Sequence, residues 1–130
     1  DLHGTGRLVW PLVVITAVGM AIIASAVRDP SDTAAFSLLL GMSLVGLGYG
    51  ALQNLTLVMF FNSVSPQHHK LASTLWNVGF DAGTGIGSAL VGAAALYTSF
   101  PTAMLVCAAL SLLTLPLAVF RAESPPIRGA

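Results

Sequence analysis

The sequence predicts an all-α membrane protein with four transmembrane helices. Composition is the first reason: of 130 residues, 55% are hydrophobic and 8% charged, with a mean hydropathy of +0.86. A soluble domain carries about 25% charged residues, so this chain lacks the charge that a water-facing surface needs. Distribution is the second. The apolar residues gather into four long runs, about 8–27, 34–64, 71–97 and 102–120, separated by short polar breaks. Of the ten charged residues, nine (Asp1, Arg7, Arg28, Asp29, Asp32, Lys70, Arg121, Glu123 and Arg128) lie in those breaks or at the ends. The tenth, Asp81, lies inside the third run.

The first run, 8–27, holds twenty residues, or about 30 Å of helix, which matches the hydrocarbon thickness of a bilayer. Pro11 falls in its first turn, where a missing N–H costs nothing. Arg28-Asp29-Pro30-Ser31-Asp32 reads as a turn, with Ser31 or Asp32 as the expected N-cap of the next helix. The second run, 34–64, is longer than a perpendicular span requires, so tilt or a protruding last turn is expected. Along it Ser43, Gly46, Gly50 and Gln53 share one side, and Asn54 follows. Ser65 to Lys70 forms the next break, with Pro66 suited to start a helix.

The third run, 71–97, is the most informative. At 100° per residue, Thr74, Asn77, Asp81, Thr84 and Ser88 fall in one narrow arc, while Gly79, Gly83 and Gly87 fall opposite. One face is polar with an ionisable group, and the other is smooth enough for close helix packing. Thr98-Ser99-Phe100-Pro101 is a tight exit, so the third and fourth helices are expected to be antiparallel neighbours. The fourth run contains Pro116, which predicts a kink. Residues 1–7 read as a loop remnant and 122–130 as a soluble tail. Positive charge sets orientation: Arg7, Lys70, Arg121 and Arg128 share one side and Arg28 stands on the other, which predicts that both termini are cytoplasmic.

The polar residues differ by helix. The first and fourth runs carry only scattered Ser, Thr and Cys, and are expected to face lipid on much of their surface. The second and third hold Gln53, Asn54, Asn77 and Asp81, and are expected to line a cavity. Asp81 lies ten residues past Leu71, about 15 Å into the membrane. A charge there costs at least about 2.5–3.5 kcal/mol on insertion scales, so Asp81 needs a cavity, a partner or a proton. Two readings stand: a proton-coupling group whose affinity for protons desolvation raises, and a structural aspartate bonded to backbone or to Asn77. Gln53 and Asn54 read equally as substrate contacts and as interhelical hydrogen bonds. Trp76 lines a cavity or packs. Gly46, Gly50, Gly79, Gly83 and Gly87 read as packing positions.

Other chemistry finds little support. Gly83 to Gly87 spells G-x-G-x-G, but inside a span rather than between a strand and a helix, which excludes a dinucleotide loop. His68-His69 lack the companion ligands of a metal site. Cys107 stands alone, so no internal disulfide forms. No catalytic triad is evident, so no enzyme and no cofactor is expected, and zero net charge gives no case for nucleic acid. The first residue is Asp, and the first seven form no cleavable signal sequence, so the chain is expected to belong to something longer.

From Gly41 to Gly92 the sequence resembles the tenth and eleventh helices of the major facilitator superfamily, especially its bacterial drug and metabolite exporters. The resemblance rests on Gly46, Gly48 and Gly50 before a polar pair, then on Ala72, Ser73, Asn77, Phe80, Asp81, Gly83 and Gly87 in an A-S-x-x-x-N-x-x-F-D-x-G-x-x-x-G pattern. Asp1 and Gly4 are similar to the family's D-R-x-G-R-R loop, although Leu2 and Thr5 replace arginines. The resemblance implies helices nine to twelve, within the C-terminal six-helix half, of a secondary transporter in the cytoplasmic (inner) membrane. Its partners would be the lipid bilayer, the N-terminal half, helices seven and eight, a small-molecule substrate and, as coupling ion, protons. Such a part alone would not transport. The alternatives are a small four-helix multidrug transporter, disfavoured because the first helix has no acid, and a small membrane protein acting as a helix-packing subunit. A soluble helical domain would have to cover four runs of this greasiness.

Overall fold

A computed structural model describes residues 7–29 and 31–116. The readings for Asp1, Gly4, the end of the fourth run and the tail with Arg121 and Arg128 lie outside the described residues. Among the described residues four α-helices follow one another: α1 (Val9–Arg28), α2 (Ala34–Asn62), α3 (His69–Tyr97) and α4 (Phe100–Leu113), with a 3-10 turn (Pro66–His68) before α3. No strand occurs among the described residues. By length and composition, α1 and α2 are the described helices long and apolar enough to cross a membrane, and α4 is a shorter apolar helix.

Each helix end has a local cause. Ser31 and Asp32 do not cap α2; they sit in a turn, and Thr33 takes the cap position without a side-chain cap bond. The Ser31 and Thr33 hydroxyls bond each other instead, 3.1 Å apart, and the Ala34 N–H donates to the Ser31 carbonyl at 2.9 Å. Here the turn itself supplies the acceptor that a capping side chain would have offered. Pro66 occupies the first turn of the 3-10 helix after an extended Ser65, a place where its missing N–H is harmless. At α4, Ser99 accepts from the Thr102 N–H at 3.3 Å, with Pro101 in the first turn. Near its other end α4 stops at Leu113, and the Thr114 hydroxyl donates to the Ser111 carbonyl at 2.7 Å. Pro116 cannot donate to the carbonyl four residues earlier, which accounts for the break just before it.

Packing centres on α1. It lies against α2 and α4, and its contacts with these two are the most extensive among the described residues. Val13, Thr16, Ala17, Gly19, Ile23, Ala24 and Ala26 are buried on it. α1 thus buries one face against two helices and keeps Trp10, Val18 and Val27 exposed elsewhere. Small apolar side chains suit lipid exposure and close helix contact alike, and here they let two neighbours approach one helix. At the seam with α2, a Cβ on Gly19 would meet the Gly41 carbonyl oxygen at 2.8 Å, and a Cβ on Gly41 would meet the Gly19 oxygen at 2.9 Å. Gly48 lies against the Thr16 side chain, whose hydroxyl donates to the Leu12 carbonyl at 2.8 Å. Close backbone approach requires glycine at these three positions.

The tight contact therefore falls on Gly19, Gly41 and Gly48. Nothing among the described residues lies within 4 Å of a Cβ built at Gly46, Gly50, Gly79, Gly83 or Gly87. α3 is the least embedded of the long helices, with Ala72 its buried residue. α3 and α4 touch, but α4 packs more extensively on α1. The α1 and α4 ends are tied where the Arg28 guanidinium (Nη2) reaches the Thr102 hydroxyl at 3.5 Å.

Candidate functional site

The residues singled out for chemistry lie on α2 and α3, whose mutual contact is thin beside that of α1 with α2. Both elements are long regular helices, so spacing decides which side chains share a face. Tyr49 and Gln53 are one turn apart on α2, as are Trp76 and Phe80 on α3. An aromatic cluster joins the helices. The Tyr49 and Phe80 ring centroids are 5.7 Å apart at 47°, and Trp76 stacks on Phe80 at 5.0 Å and 12°. Both separations lie in the range where aromatic pairs attract beyond the area they bury. Trp76, a candidate for cavity lining or packing, is thus half-buried in a stack within its own helix.

The polar candidates surround this cluster without forming a bonded network. Asn54 donates through Nδ2 to the Gly50 carbonyl at 3.0 Å, so it satisfies itself along its own helix. Asn77 donates to the Ser73 hydroxyl at 3.5 Å, a long bond at the limit of the interaction. Thr74 and Ser88 likewise donate to carbonyls of α3, those of Lys70 and Gly85. Gln53 is half-buried. Asp81 is exposed, and no hydrogen bond or ion pair joins it to another described residue. The reading in which Asn77 holds Asp81 finds no such bond here, since the Asn77 amide points back to Ser73.

The structure thus brings Tyr49, Trp76 and Phe80 together and leaves Asp81, Asn77 and Asn54 on open faces. Tyr49 was not among the sequence candidates. Its spacing of four from Gln53, on the side that Gly46 shares, was the available signal. Among the described residues no group of three or more His, Cys, Asp or Glu side chains could hold a metal ion.

A polar arc with an acid at mid-helix suits a solute carrier and a structural membrane subunit alike. Comparison with protein families decides the matter: the model of the Major Facilitator Superfamily matches residues 1–130. The chain belongs to the Major Facilitator Superfamily. It is accordingly part of a multi-pass membrane transporter family whose members move small molecules across lipid bilayers. No curated protein and no solved structure gives a match.

Proposed function

We propose that this chain forms helices nine to twelve of a secondary active transporter that works by alternating access, with α2 and α3 lining the solute path. The carrier exports a small molecule across the cytoplasmic membrane in exchange for protons, and both ends of the chain are cytoplasmic. One observation carries the reading. Asp81 sits mid-helix in a membrane-spanning chain, exposed and bonded to no described neighbour. A carboxylate in hydrocarbon is costly, so this face must meet water, solute or another polar group. Asn77, Thr84 and Ser88 on the same arc, with Gln53 on α2, supply hydrogen-bonding groups for a solute. The concentration of polar groups on two helices supports a path between the halves of an alternating-access carrier.

Transport by the intact protein in inverted membrane vesicles tests the proposal. With Asp81→Asn, solute uptake driven by an imposed proton gradient is expected to vanish while solute exchange at equal pH on both sides persists. Gradient-driven uptake at the unsubstituted rate would remove Asp81 from the coupling step. The alternative, a small subunit in which Asp81 is structural, predicts instead that Asp81→Asn lowers folded yield.

A further inference from the structure

The three described neighbours hold α3 unevenly. At its start the His69 ring lies 5.3 Å from Phe61 of α2, and at its end Thr98 and Ser99 lead straight into α4. Between those ends, the glycine side of α3 is open: a Cβ at Gly79, Gly83, Gly85, Gly87 or Gly92 would meet nothing within 4 Å. The ring-to-ring contact that crosses to α2 within the span is Phe80 on Tyr49, backed by Trp76 stacked on Phe80. Phe80 immediately precedes Asp81, which lies about 100° further round the helix.

We propose that Phe80 is a positioning residue: its contact with Tyr49 fixes the rotation of α3 about its own axis and so the direction in which the Asp81 arc faces. The inference rests on the reading of that arc as the solute path. Beside its contact with α4, this aromatic seam is what the described residues offer to hold the rotation of α3. A turn of one residue position would bring Gly79 or Asp81 to the seam in place of Phe80. Gly79 offers no side chain to Tyr49, and Asp81 would set a carboxylate against an aromatic face, whose negative charge repels it. The sequence Gly79-Phe80-Asp81 therefore allows one favourable setting of α3 against α2. Trp76 reinforces it from about 40° away on the same side.

Thiol labelling of the intact carrier in its membrane tests this. In a Cys107→Ser background, single cysteines are placed on the arc (Asn77→Cys, Thr84→Cys, Ser88→Cys) and opposite it (Gly79→Cys, Gly83→Cys). A membrane-impermeant methanethiosulfonate reports which face meets water. The arc is expected to label faster than the glycine side. Phe80→Ala is expected to shrink that contrast by about three- to tenfold, the equilibrium worth of one aromatic pair, and Tyr49→Ala to do the same from the other helix. Phe80→Tyr keeps the contrast. A residue that only stabilises the fold would lower yield without redistributing label around the helix. If Phe80→Ala fails to accumulate, Tyr49→Ala decides. An undiminished contrast with the Tyr49 ring removed overturns the positioning role and leaves the solute-path reading intact. A flat profile before any aromatic is changed overturns that reading, and the positioning role with it.

Discussion

The seam between α1 and α2 makes a sharp quantitative prediction through Gly19→Ala. The new methyl would lie 2.8 Å from the Gly41 oxygen, 2.9 Å from Val45 Cγ2 and 3.0 Å from the Val45 nitrogen. Comfortable contacts for a carbon are about 3.5–4.0 Å, so the helices must separate by roughly half an ångström or more. Two of the three opposing atoms are backbone and cannot swing aside. Overpacking of this kind costs about 1–3 kcal/mol. Replacing glycine by alanine inside a helix returns about 1 kcal/mol through backbone entropy, so the net loss for Gly19→Ala is about 0–2 kcal/mol. Gly46→Ala, where nothing lies within 4 Å, receives the helix term without the clash. The difference between the two variants, about 1–3 kcal/mol, is the decisive quantity. Thermal or denaturant unfolding of the detergent-solubilised protein, read by circular dichroism, measures it. Equal stability of Gly19→Ala and Gly46→Ala would refute a glycine-dependent seam.

Three further outcomes follow from local geometry. Ser99→Ala removes the oxygen that accepts from the Thr102 N–H and should cost about 1 kcal/mol, seen as a lower unfolding midpoint, whereas Ser99→Asp should retain most of it. Pro116→Ala supplies the missing N–H and should carry α4 through the break at Thr114, with amide hydrogen exchange slowing at residues 113–115; unchanged exchange there would place the cause of the break elsewhere. Tyr49→Phe keeps the ring that meets Phe80, and Tyr49 makes no hydrogen bond within the described residues. Its stability should therefore stay within about 0.5 kcal/mol of the parent, while Tyr49→Ala should lose the ring contact, by the same unfolding measurement.

Much of this protein is written in local chemistry. Four apolar runs bounded by charged or proline-containing breaks specify α1 to α4, because backbone groups in hydrocarbon must bond within their own segment. The polar spacing on α3 is likewise a property of the helical period, so the Asp81 arc follows from sequence once the helix does. The fold class was legible at that level, and the superfamily through the resemblance carried by the Gly41–Gly92 pattern. Where Ser31 and Asp32 failed as caps, the cause was also local: a turn supplied its own carbonyl.

Which small residues form the α1–α2 seam was not legible. Gly19, Gly41 and Gly48 carry the tight seam, while Gly46 and Gly83, with identical local chemistry, face open space. A glycine states only that a neighbour can come close; the neighbour is chosen by long-range pairing of helices. The same holds for α1, whose alanines suit lipid and protein equally until α2 and α4 close on it. Tyr49 gains its role only because Phe80 stands across from it on another helix. Sequence alone determined the helices, their polar faces and the membrane that surrounds them, since each depends on residues a few positions apart. Tertiary structure alone decided that α1 is the centre, that α3 lies outside it, and that the Tyr49–Phe80 and Phe61–His69 contacts join the polar helices, because those facts depend on which surfaces meet.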